Sequence, residues 1–490
     1  MKYKKVLLSV VLSSILILSF TVPITAKKGD GVDYGRMAKF LPSNGEMFGW
    51  IKDIWKFGDE GEFGYRMPGT PAEEKGADYI FEKFEDFGLE GVTKEPIPIT
   101  VYQPDVWSLT IRVGENEEEI PCSFFRYGPL TNPEGITADL VYVGSGSEED
   151  FISNDVGGKI VVVDVLAPGW PYTGFFDQFQ LFAYDPDDTM PGDMGTENWP
   201  LTNLESSLEF AVDNGAVGYV GILTFTVDDN NQFWHSQWDK PLTALTLSPN
   251  DGAYLRNLLE SEEPVNATMI LTGYYGPGET HNVYGFLPGK NEDEIILIES
   301  HHDGWATNEA SGAAAVMALA KYFAHFPKES RERTLMFVAF GSHFAQRDQS
   351  DSEVYHLINE GKIVFATTIE MIGKQLKIID GKYVETGLIS PTGFGISIPM
   401  IPLIPIISQA IIKYDLKRSM ILPLYHGEGG QFGVLGVPTI ERIAENAPQF
   451  TNDDTPNTVM VSALRPTTAA FVDIIKQVDL LPIEFLQSMS

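Results

Sequence analysis

The chain has 8 histidines in 490 residues, and several stand where a strand-like run gives way to a turn. Ser300-His301-His302-Asp303-Gly304-Trp305 follows the apolar run that ends at Glu299, and Gly341-Ser342-His343-Phe344 follows Leu335–Phe340. Glu370-Met371-Ile372-Gly373 follows Val364–Ile369, and Asn308-Glu309-Ala310-Ser311-Gly312 opens an alanine-rich stretch. His301-x-Asp303 suits an imidazole ligand whose second nitrogen is held by a carboxylate, which sets its tautomer and raises its basicity. Glu370 supplies a hard oxygen donor, and zinc accepts mixed nitrogen and oxygen sets. His343 reads as a ligand, as a general base near neutral pH, or as a structural histidine beside an apolar Phe344. Glu309 reads as a ligand or as an acid favoured at a helix N-terminus, and Asn308 as a helix cap.

Such groups meet only if the elements around them are ordered in a particular way. From His281 onward, runs rich in Val, Ile and Phe alternate with helical periodicity. Strands are expected at Glu294–Ile298, Thr334–Phe340, Ile363–Ile369 and Val437–Ile440, with helices at Ser311–Phe323 and Thr467–Val478. Alternation of this kind means a mixed, mostly parallel sheet flanked by helices, an α/β architecture whose ligands bind beyond the carboxyl ends of the strands. Upstream, Ala77, Ile80, Phe81, Phe84 and Phe87 mark a helix that stops at Gly88. Between them, residues 119–272 read as a separate block. Strands at Ala138–Gly144, Gly158–Asp164 and Val217–Leu223 alternate with a polar connection at Glu148–Phe151 and a helix near Leu208–Val212. A polar, glycine-rich segment, Tyr425-His426-Gly427-Glu428-Gly429-Gly430, supplies two further candidates for substrate contact, His426 and Glu428.

Composition bounds the partners. Lys and Arg number 34 against 68 Asp and Glu, a formal charge of −34. Such a field repels nucleic acid and anionic membrane surfaces, so neither is an expected partner. The single cysteine, Cys122, cannot form an internal disulfide. Three lysines in the first five residues, an apolar run from Val6 to Ile24 and a small residue at Ala26 read as a secretory signal peptide over 1–26. The same run is nearly long enough to span a bilayer, which leaves an uncleaved anchor as the alternative. Either way the body of the protein is expected outside the cytoplasm.

Taken jointly, the strand-end motifs, Asn282-Val283-Tyr284-Gly285-Phe286-Leu287-Pro288-Gly289, Gly436-Val437-Pro438 and Asp454-Thr455 resemble the M28 aminopeptidases, a secreted zinc peptidase family. The resemblance covers nearly the whole mature chain. It implies a peptidase core in two parts, 27–118 and 273–490, with a β-rich protease-associated (PA) domain inserted over 119–272. Family members usually carry two zinc ions. Carried over by position, the ligand His and its orienting Asp are His301 and Asp303, and the bridging Asp becomes Asn308, with Glu309 next to it. The Glu-Glu pair falls on His343 and Phe344, the Asp before Met-Ile-Gly becomes Glu370, and the last His falls on Phe450. Phenylalanine cannot bind zinc, so the resemblance implies one ion, held by His301 and Glu370 with Glu309 or His343. Two functions follow from it: an exported metallohydrolase acting on peptide or amino-acyl substrates, or an inactive relative that serves as a binding or structural protein. A glutaminyl-cyclase-like acyl transfer is a third, weaker possibility.

Overall fold

Two long strands organise the molecule. Glu90–Val113 and Val265–Leu287 alternate buried and exposed residues along much of their length and pair antiparallel nearly from end to end. The computed structural model describes residues 32, 34–167, 178–190, 201–234, 238–261, 264–347, 349–425, 427–444 and 447–490. The leader at 1–26 and His426 lie outside the described residues.

The Val265–Leu287 strand belongs to both halves of one continuous sheet. Along its C-terminal half the order runs to Arg333–Phe340, Asn291–His301, Ile363–Ile369, Thr439–Ala444, Thr392–Gly395, Ser419–Leu422 and Phe182–Tyr184. The pairs joining Arg333–Phe340, Asn291–His301, Ile363–Ile369 and Thr439–Ala444 are parallel. Along its N-terminal half it pairs with Ile136–Tyr142. That strand leads a second parallel set, Ile160–Val165, Gly218–Leu223 and Ala244–Leu247. The mixed, mostly parallel sheet flanked by helices is therefore the expected architecture.

Ser311–Ala324 is buried almost all round, as a helix must be when its surface is apolar on every side. It packs against the strands Asn291–His301 and Arg333–Phe340 and the helices Asn44–Asp59, Pro71–Phe87 and Val461–Asp479. Pro71–Phe87 starts as its sequence dictates. The Thr70 side chain accepts the Glu73 N–H, proline takes the first turn, and Gly88 ends the helix in the left-handed region at φ 83°. Among the described residues no helix is long and apolar enough to cross a membrane.

Some boundaries move. The strand expected at Glu294–Ile298 runs from Asn291 to His301, so His301 is its last residue. The strand expected at Val437 begins at Thr439, because Pro438 has no N–H to give a ladder and contributes only its carbonyl, to Ala366. The final helix starts at Val461 rather than Thr467. Burial of Ala463 and Leu464 outweighs the one hydrogen bond that Pro466 cannot make. The polar connection expected at Glu148–Phe151 is a helix, Glu148–Ser153, begun by a Ser147–Asp150 capping box. Asn308 is not a cap: it lies inside a π-turn, Ala306–Ala310, that runs directly into the buried helix.

Candidate metal centre

Side chains two apart on a strand share a face, and that rule builds the floor of the site. Glu299 and His301 close one strand, Thr368 lies on the next with Glu370 just past its end, and Glu441 lies on the third. Glu299 pairs with Thr368 and Thr368 with Glu441, so Glu299, Thr368 and Glu441 form a buried row beneath His301 and Glu370. The Thr368 hydroxyl donates to Glu299, and Glu441 accepts the Gly427 N–H at 2.9 Å, which moors the 427–430 turn above the floor. The space at Gly427 is tight, since a Cβ there would meet Glu370 Oε1 at 2.6 Å and Ile443 Cδ1 at 2.9 Å.

His301 is the centre of the upper row. Its Nδ1 stands 3.2 Å from Asp303 Oδ1 and its Nε2 3.7 Å from Glu370 Oε2. The other Asp303 oxygen accepts the Phe344 N–H at 2.8 Å. The His343 ring stacks on His301 with centroids 4.1 Å apart, and its Nδ1 lies 2.7 Å from Glu428 Oε1. Glu428 is buried and its backbone N–H donates to Glu370 Oε1 at 3.0 Å. One ligand atom each from His301, His343 and Glu428 lies within 4.8 Å of the others. Glu370 borders this group. Its carbonyl accepts from the buried Arg442 guanidinium, which also donates to Met371 O at 2.7 Å.

The charges explain each other. Burial opposes a proton on His301, yet the charge of Glu428 and the hydrogen bonds to Asp303 and Glu370 hold its pKa well above the usual value. Burial alone would raise Asp303, but the bond to His301, the charges of His301 and His343 and the Phe344 N–H hold it well below the carboxylate range. Glu299 goes the other way: burial, and then the charge of Glu428, push its carboxyl well above the ordinary value.

Glu309 turns back on its own turn and accepts the Trp305 N–H. A Cβ on Gly304, at φ 113°, would strike that carboxylate at 2.5 Å or less. Burial pushes its pKa well above normal. Beyond it stands a wall of rings. Tyr65 stacks on Trp305 at 4.2 Å and 6°, Trp305 meets Phe344 at 5.5 Å, and Phe344 meets Phe450 at 5.7 Å. Phe450 holds a φ of 66°, an uncommon conformation kept by its packed surroundings. Arg66 ties this wall to the His301 loop by donating to His302 O at 2.6 Å and Trp305 O at 2.8 Å.

Of the residues singled out from sequence, His301, Asp303, His343, Glu370 and Glu428 come together, and Glu309 lies behind them against Trp305. Glu428 was expected as a loop contact; it is buried and paired with His343. Glu299 and Glu441 were not singled out. A Glu two residues before a candidate His, inside an otherwise apolar strand, was the available signal. Arg66 and Arg442 left none.

Residues 282–375 match the model of Peptidase family M28. The match spans 94 of the 490 residues. The zinc aminopeptidase of Bacillus subtilis superposes with a TM-score of 0.63 at 15% identity, over 89% of this chain and 96% of that one. A peptidase M28 precursor from Shewanella amazonensis gives 0.63 at 16%, over 89% and 97%. An aminopeptidase from Aneurinibacillus gives 0.56 at 20%, over 91% and 96%. Among curated proteins, the probable glutamate carboxypeptidase VP8 of Zea mays is 24% identical over 316 residues, which are 53% of this chain and 41% of that protein. The chain thus matches about two fifths of that relative's length. The overall fold is shared with these aminopeptidase structures.

Proposed function

We propose that the chain is a metallopeptidase-type hydrolase with a single zinc ion held by His301, His343 and Glu428, and Glu370 beside it. The observation that carries this reading is the convergence of those three side chains within 4.8 Å. Their chemistry fits the ion: two imidazoles and a carboxylate are a ligand set that catalytic zinc takes, and Asp303 on the far nitrogen of His301 is the support such a ligand needs. When bound, zinc supplies a Lewis acid and lowers the pKa of water. Asp303 fixes the His301 ring and leaves Nε2 toward the site. Glu370 is the carboxylate placed to take and return a proton, its other oxygen held by the Glu428 N–H. His343, about one-fifth exposed, is the group of this set that substrate meets first. The negative field of the chain favours peptide or amino-acyl substrates with a free amino terminus. The leader pattern at 1–26 supports export, and residues 119–272 are read as a PA-like accessory block.

A second reading rests on a different observation. Phe344 and Phe450 stand at the positions where the resemblance puts metal-binding residues, and both are buried in the aromatic wall. This favours a protein that keeps the peptidase scaffold for recognition and has lost turnover.

Elemental analysis of the purified protein separates the two. About one zinc per chain, lost in His301→Ala and Glu428→Ala, is expected, with Glu370→Gln keeping zinc and losing hydrolysis of aminoacyl or peptide substrates. No bound metal after zinc is supplied near neutral pH would sink the hydrolase reading and leave the scaffold.

A further inference from the structure

Arg126 is a buried cation that the metal centre does not use. It is 1% exposed. One terminal nitrogen donates to the Tyr127 hydroxyl at 2.9 Å, while among the described residues Nε and Nη1 have no hydrogen-bond partner. A second cation is close by: Lys240, also buried, donates to the Arg126 carbonyl at 2.8 Å. Burial, and then the Arg126 charge, lower the Lys240 pKa to about 7.

Among the described residues no carboxylate hydrogen-bonds the Arg126 guanidinium, which lies over the Tyr127 ring with its carbon 4.8 Å from the centroid. Asp303 acts on Arg126 only at a distance, since both its oxygens serve His301 and the Phe344 N–H. Glu205 and Asp239 act on Lys240, and Asp239 is itself engaged by Tyr275 and Gln346. Tyr65, likewise buried, lies within reach of the Arg126 charge, and its hydroxyl has no partner among the described residues. The backbone that presents the guanidinium is strained, with Tyr127 at φ 62°, a conformation that persists only where the surroundings demand it.

We infer that Arg126, with the Tyr65 hydroxyl, forms a binding site for a small monovalent anion, a halide or a carboxylate group, at the seam between the two halves of the sheet. A buried guanidinium with open N–H groups calls for an acceptor, and an anion is the acceptor that also offsets its charge. The seam is connected to the metal centre: the Tyr127 hydroxyl donates to Phe344 O at 3.3 Å and accepts the Gln346 N–H at 3.2 Å, and the Phe344 N–H holds Asp303.

The test needs no turnover. The thermal midpoint of the full protein is followed at constant ionic strength while chloride replaces gluconate, and crystals soaked in bromide are measured for anomalous scattering. The expected result is a saturable rise in midpoint, with a bromide peak within hydrogen-bond distance of Arg126. Arg126→Gln abolishes the rise, and Tyr65→Phe, which keeps the ring stack, weakens the half-saturating concentration about 10-fold. A rise with acetate or a peptide carboxylate in place of halide assigns the site to a carboxylate ligand. Absence of any saturable response together with no bromide peak at Arg126 overturns the inference, as does a response unchanged in Tyr65→Phe and Arg126→Gln.

Discussion

On one side of Asp303 lie imidazoles and carboxylates, and on the other a stack of aromatic rings. Phe344 touches both sets: its ring meets His301 at 5.5 Å and His343 at 4.6 Å on the polar side, and Phe450 at 5.7 Å on the other. The polar flank is held by hydrogen bonds that must all be made, since each buried charge left without a partner is costly. The aromatic flank is held by packing, which tolerates a change of shape but not a hole. The two flanks should therefore fail in different ways, the first in metal binding and the second in stability.

The largest effect is expected from Trp305→Ala. It removes a fully buried ring stacked on Tyr65 and should cost about 3–5 kcal/mol in unfolding free energy, read from the denaturant midpoint. Asp303→Asn tests the polar flank: on the proposed function it should weaken zinc binding about 10–100-fold by freeing the His301 ring, measured by competition with a chelator. A loss confined to stability, with zinc affinity intact, would break the contrast between flanks. Phe344→Leu should cost about 1 kcal/mol through lost ring contacts, with metal content unchanged. If that substitution releases metal, Phe344 supports the polar flank and the two sides are not independent.

A last test lies in pH. Lys240 has a folded pKa of about 7 against an ordinary value near 10.4. Between those limits the unfolded chain binds the proton and the folded one does not, so stability should rise with pH from about 7 toward 10. The cost of the buried amine is fully present below the folded value. Lys240→Met should flatten the slope in that window and raise the midpoint most at the acid end.

The sheet was legible because period-two and 3.6-residue patterns are local. Ile363–Ile369 matches its expected limits, and the buried helix Ser311–Ala324 exceeds its expectation by one residue. His301 and Asp303 were legible for the same reason: they are two residues apart at a strand end, and their relation does not depend on the rest of the chain. Glu428 was not. It lies 85 residues from His343, inside a turn whose composition reads as polar loop, and the bonds from Gly427 to Glu441 and from its own N–H to Glu370 bring it under cover. Glu309 stayed open between two readings, because a carboxylate at a helix start can face outward or fold back, and the neighbouring Gly304 leaves room for the second.

From residue order alone came the alternation that requires a parallel sheet, the strand ends that carry His301, His343 and Glu370, and the phenylalanines at two positions where the resemblance expects ligands. Tertiary structure decided which of these side chains meet. It paired Glu428 with His343, buried Glu299 and Glu441 beneath them, and buried Arg126 with two nitrogens that have no hydrogen-bond partner among the described residues. The physical reason is separation along the chain: periodicity reports which face a residue occupies, whereas the partner across a cleft is chosen by strand register and loop closure, which involve residues tens to hundreds of positions away.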